Sequence, residues 1–158
     1  MRAILPPTYL LASLILMATL WVLLPGPRVI EAPWNLIGVG LVLLGVGLNV
    51  AGDRQFQRAK TTMHPFGDSH VLVTTGVFRY SRHPMYLGMV LLVVGMAMLL
   101  GHATPFLAPV LLLATLRYRF IAHEERVMAE RFGEKYTLYQ KRARRWVLFC
   151  SDRYLAAT

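Results

Sequence analysis

Of the chain's 158 residues, 56% are hydrophobic and only 16% charged. A soluble domain carries about 25% charge, so the balance excludes an ordinary water-soluble enzyme and points to a membrane. The formal net charge of +9 suits an anionic lipid surface, an acidic ligand or nucleic acid, and the position of the basic residues decides among them.

Residues 8–24, TYLLASLILMATLWVLL, carry no charge and lie between Pro6-Pro7 and PGPR. They reach the minimum length for a membrane-spanning helix, and no A-x-A site follows them, so the segment reads as a span rather than a cleaved leader. Residues 34–52 form a second uncharged run. Gly38, Gly45 and Gly52 recur every seven residues with Gly40 and Gly47 beside them, which leaves a helix face nearly bare and suits close helix packing. Asn49, near the inner end of this run, needs a partner in lipid.

Residues 53–83 are polar and read as a loop, with a short helix at 53–60 continuing the second span. Two further apolar runs extend to spans at 84–101 and 105–121; the short GHATP connector makes them a tight antiparallel hairpin. Residues 122–158 read as an amphipathic helix followed by a basic tail containing KRARR. The fold expected is therefore one all-α, membrane-embedded domain over residues 1–158, with about four transmembrane helices.

With four spans, sixteen of the seventeen Lys and Arg residues fall on one side, and only Arg28 lies on the other. The positive-inside rule puts both termini, the 53–83 loop and the 122–158 tail in the cytoplasm, or on the inner face of the inner membrane if the source is bacterial. This placement accounts for the net charge and removes the need for nucleic acid. Membrane lipids are the expected partners of the basic tail.

Two clusters carry chemistry. In FRYSRHPMYLG, residues 78–88, Ser81 or His83 takes the cap position of a helix whose first turn holds Pro84. Free backbone N–H groups, the helix dipole, Arg82 and His83 then favour an anionic group, and His83 and Tyr86 share a face. Gly88 leaves space further in. The second cluster is HEER, residues 123–126. Glu124 and Glu125 are about 100° apart around a helix, so one is expected to face a ligand or an arginine and the other a neighbouring element or water. Each cluster alone matches common features, namely interfacial anchors for the first and a solvated face for the second. The hairpin brings them to the same level, where cationic and anionic walls together suit a zwitterionic ligand. No convergent set of ligands is visible around His64, His70, His102 or His123, so no metal is expected, and Cys150, the single cysteine, reads as a small apolar residue near the membrane.

GVFRYSRHPMYLG, the Glu124-Glu125 pair and RFGEKYTLYQKRARRW together resemble the membrane-embedded isoprenylcysteine carboxyl methyltransferase family and its phospholipid methyltransferase relatives, over roughly residues 35–147. The resemblance implies S-adenosylmethionine as methyl donor and a lipophilic acceptor entering from the bilayer. It implies a cofactor site of Arg82, His83, Pro84, Tyr86, Leu87, Gly88, Glu124, Glu125, Tyr136 and Arg145, with Tyr139 and Trp146 in the closing segment and His83, Tyr86 and Glu124 nearest the chemistry. The eukaryotic enzymes commonly carry a proline before the last arginine, where this chain has Arg144. Two other readings compete: an NADPH-dependent membrane reductase of the sterol-reductase type, and a non-catalytic membrane protein whose motifs serve packing.

Overall fold

The computed structural model describes residues 6–58 and 72–146. Residues 59–71, which contain His64 and His70, and the tail beyond Trp146, which contains Cys150, lie outside the described residues. Among the described residues six α-helices follow in order: α1 (Pro6–Leu23), α2 (Ile37–Arg58), α3 (Pro84–Leu100), α4 (Leu107–Thr115), α5 (Ala122–Phe132) and α6 (Glu134–Arg142). A six-residue π-helical turn, Leu116–Ile121, joins α4 to α5 in one continuous rod. Among the described residues there is no β-strand, only the isolated bridges Arg28–His102 and Ser81–Arg144.

Three helical stretches, Pro6–Leu23, Trp34–Arg58 and Thr104–Phe132, are long and apolar enough to cross a membrane. The fourth expected span, α3, is apolar but only 17 residues long. At 1.5 Å per residue it covers roughly 26 Å, the low end of what a bilayer core requires. Helix α2 runs on to Arg58, so the polar connection begins later than residue 53. Large apolar side chains such as Leu11, Val22, Leu43 and Val110 are more than half exposed, a surface suited to lipid rather than water.

The closest helix contact is between α2 and α3, and glycine makes it possible. A methyl group added at Gly38 would lie 2.4 Å from the carbonyl oxygen of Gly95, and one at Gly45 would lie 2.5 Å from that of Gly88. Gly38 and Gly45 thus form a packing seam in which backbone meets backbone, and Gly52, the third of the period, faces the Met85 side chain. Gly40 and Gly47 do not belong to this seam; nothing lies within 4 Å of a Cβ at either. Asn49 meets its need for a partner within its own helix, donating to the Gly45 carbonyl at 2.8 Å.

The core runs through Val93 and Ala97 of α3 and Ala108, Leu112 and Leu116 of the last rod, with Met17 of α1 packed on it. Tyr9 meets Phe120 edge to face at 5.3 Å. At the end of the bundle opposite Arg79 and Arg82, α3 stops at Gly101, whose φ of +71° is a left-handed cap. Its carbonyl accepts the N–H groups of Val29 and Ile30 at 2.8 and 3.1 Å, tying the first connection to the hairpin.

Candidate active site

At the other end of the bundle, a 3-10 turn at Gly76–Arg79 leads into Ser81, Arg82 and His83 and then into α3. His83 is the N-cap and Pro84 opens the helix, where its missing N–H costs nothing. No side chain caps the first turn, so its free amides keep their affinity for a negative group. Ser81, the other expected cap, has a different task. It is 2% exposed, its hydroxyl donates to the Arg145 carbonyl at 3.1 Å, and it accepts the His83 N–H at 3.3 Å.

The segment after α6 returns across this entry. The Arg82 N–H donates to the Arg144 carbonyl at 2.8 Å, so residues 80–82 and 143–145 pair as a short parallel bridge. Ala143 and Trp146 are buried on either side. The α5–α6 corner is fixed by Tyr136 and Tyr139, packed with Met128, Phe132 and Leu72, and the Tyr139 hydroxyl donates to the Phe78 carbonyl at 2.6 Å. Burial, then the neighbouring Tyr136, push the Tyr139 phenol above its ordinary value, so it stays a donor.

Glu125 is the centre of the charged cluster. It lies beyond the apolar part of the last rod, on α5. Arg82 reaches its Oε1 at 2.9 Å, and Arg145 holds it in bidentate fashion, Nε to Oε1 at 3.1 Å and Nη2 to Oε2 at 2.5 Å. His83 Nε2 lies 3.4 Å from the same Oε1, and His83 Nδ1 lies 3.5 Å from Glu124 Oε2. Tyr86 donates its hydroxyl to Glu124 Oε1, and the His83 and Tyr86 rings stack at 5.7 Å. Burial alone would raise the Glu125 carboxyl, but hydrogen bonds from His83 and Arg145 and the charges of Arg82 and His83 outweigh it and lower it to about 2. Burial likewise works against the His83 cation, yet the two glutamates together raise it above its ordinary value. The two carboxylates thus favour the protonated form of the imidazole between them.

Six of the expected residues, Arg82, His83, Tyr86, Glu124, Glu125 and Arg145, therefore meet in one cluster. Tyr136 adjoins it, near enough for Arg82 and Glu125 to act on its hydroxyl. The two glutamates divide as expected, Glu125 facing the arginines and Glu124 the neighbouring α3 entry through Tyr86. Both also border His83, which presents a ring nitrogen to each carboxylate. Gly88 and Leu87 differ from expectation. A Cβ at Gly88 would lie 2.4 Å from Asn49 Nδ2, so the space it leaves is filled by α2, and Leu87 is packed in the hydrophobic core. Pro84 is fully buried beneath the helix start. Sequence reasoning missed the role of Ser81 in fastening the returning segment; a serine two residues before the cap, free to bond the next N–H but one, was the available signal.

Residues 34–135 match the family described as phospholipid methyltransferase. The chain is 37% identical over 73 residues to the protein-S-isoprenylcysteine O-methyltransferase of Schizosaccharomyces pombe, covering 46% of this chain and 31% of that protein. It is 30% identical over 115 residues to a probable protein-S-isoprenylcysteine O-methyltransferase of Oryza sativa subsp. japonica, covering 69% of this chain and 59% of that protein. A protein-S-isoprenylcysteine O-methyltransferase of Saccharomyces cerevisiae is 30% identical over 113 residues, 68% of this chain and 46% of that protein. The chain thus spans from about a third to three-fifths of the length of these relatives. No solved structure matches it.

Proposed function

Because the chain belongs to the phospholipid methyltransferase family, we propose that it is a membrane methyltransferase that moves a methyl group from S-adenosylmethionine to a lipophilic carboxylic acid at the membrane–cytosol boundary. The convergence of His83, Tyr86, Glu124, Glu125, Arg82 and Arg145 carries this reading. The basic side of the bundle faces the cytosol, so the cofactor enters from water and the acceptor from lipid.

The donor set fits a zwitterionic cofactor. Arg82, His83 and the uncapped amides of α3 suit its carboxylate, and Glu124 suits its ammonium or ribose hydroxyls. The Tyr86 ring, stacked on His83, forms an apolar wall. Without the cofactor these groups neutralise one another, so ligand binding is an exchange of ion pairs rather than the filling of bare charges. When bound, S-adenosylmethionine supplies an electrophilic methyl on its sulfonium. The chain's task is alignment, which is worth about 7–11 kcal/mol when reactants are well held.

The state of these groups supports one class of acceptor. The two glutamates raise the His83 imidazole, so it keeps a proton more readily than a free imidazole, and Glu125, lowered to about 2, is a poor base. An acceptor already anionic at neutral pH needs no proton removed, whereas an amine or thiol does. O-methyl transfer, named for the relatives, agrees with a carboxylate oxygen. Purified protein incubated with labelled S-adenosylmethionine and a lipid extract should yield a base-labile labelled ester. Saturable binding of NADPH without binding of S-adenosylhomocysteine would replace this function with a reductase. Binding of neither would leave a packing role for the motifs.

A further inference from the structure

The π-helical turn between α4 and α5 has a second face, turned away from the charged cluster. Leu116, Phe120 and Ile121 of the turn are buried, whereas Arg117, Tyr118 and Arg119 are exposed, Tyr118 to 77%. A shallow cleft of about 460 Å³, lined by Ala114, Thr115, Tyr118 and Arg119, opens on that outer face. Below it runs an apolar strip of Leu107, Val110 and Leu111, each more than half exposed and spaced to share one side of α4. The Thr115 hydroxyl is spent on the Leu111 carbonyl at 2.8 Å. The guanidinium of Arg117 lies 5.9 Å from the Tyr118 ring centre. Among the described residues no carboxylate is paired with Arg117 or Arg119.

We propose that this cleft binds one anionic phospholipid from the leaflet on the side of the charged cluster. A greasy strip leads up to a recess that holds the Arg119 guanidinium and the Tyr118 phenol as hydrogen-bond donors, with the exposed Arg117 guanidinium beside the Tyr118 ring. That sequence of surfaces matches an acyl chain followed by a phosphodiester and an acidic headgroup. Arginine suits the phosphate because its planar fork engages two oxygens at once. The wider π turn exposes three consecutive polar or aromatic side chains at this level, which one stripe of a regular helix does not do. The site lies outside the proposed catalytic cluster, and its occupancy does not depend on methyl transfer.

The test is native mass spectrometry of the intact chain in detergent containing phosphatidylglycerol or phosphatidylcholine. Wild type should retain one phosphatidylglycerol at activation energies that strip phosphatidylcholine. The double variant Arg117→Gln/Arg119→Gln should bind phosphatidylglycerol roughly thirtyfold more weakly, from about fivefold per basic residue. Arg117→Lys/Arg119→Lys should recover part of that loss, and Arg126→Gln, outside the cleft, should change nothing. Unchanged retention in the double glutamine variant overturns the proposal, as does equal retention of the two lipids by wild type. Binding of S-adenosylhomocysteine by each variant provides an independent check that the fold is intact.

Discussion

Glu125 holds three cations with one carboxylate, and that makes it the most sensitive residue of the cluster. Glu125→Gln removes the negative charge but leaves Arg82, His83 and Arg145 facing one another. Breaking a buried pair on one side costs about 3–5 kcal/mol; because Arg145 is partly exposed, the low end, about 3, is expected here. A fall in melting temperature in detergent, with loss of S-adenosylhomocysteine binding, checks this. Tyr86→Phe removes only the donor to Glu124 and should weaken that binding about tenfold, or about 1.4 kcal/mol, without a comparable loss of stability. The pH dependence follows from two opposite shifts. The Glu125 carboxyl is lowered in the folded chain, so its contribution is complete above about 4.5 and disappears as the pH falls towards 2. The His83 imidazole is raised, so its contribution is complete below about 6.5 and is lost as the pH climbs through the higher folded value. Melting temperature against pH should therefore peak in mildly acidic solution, and His83→Gln should flatten the alkaline limb while only weakening the acid limb, since Arg82 and Arg145 still lower Glu125.

Helices carry these residues, and their register is set by small features. Gly45→Ala places a methyl 2.5 Å from a backbone carbonyl that cannot move aside cheaply, so α2 and α3 must separate. Gly47→Ala meets nothing and gains helix propensity of about 1 kcal/mol. The two changes should shift the melting temperature in opposite directions, Gly45→Ala downward and Gly47→Ala upward. The seven-residue spacing was legible in the sequence, and so was the separation of Gly40 and Gly47 from it, because residues two apart lie on nearly opposite helix faces. The π turn has no comparable sequence signature. It was missed, although it sets the phase between the apolar face of α4 and the glutamates of α5. An alanine inserted between Ala122 and His123 would rotate Glu124 and Glu125 by about 100° around the helix and should abolish cofactor binding, whereas the apolar part of the rod stays embedded.

Across the whole molecule, the cluster draws on three distant parts of the chain: residues 82–86, 124–125 and 145. The sequence revealed each part by type and by level in the bilayer, since apolar runs and basic residues are local signals. It did not reveal how the third part is fastened, because backbone pairing between residues 81–82 and 144 leaves no mark in side-chain pattern. Ending the chain at Arg142 should remove Arg145 and Trp146, abolish cofactor binding and still yield a membrane-inserted protein. Carbonate extraction together with a binding assay distinguishes that outcome from simple loss of the protein. The main-chain fastening also bears on Arg144, where the chain departs from the eukaryotic pattern. Its carbonyl accepts the Arg82 N–H, while its side chain is exposed. Replacing the Arg144 side chain should therefore leave the main-chain fastening in place, and titration of Arg144→Gln with S-adenosylhomocysteine should give the affinity of the unaltered chain.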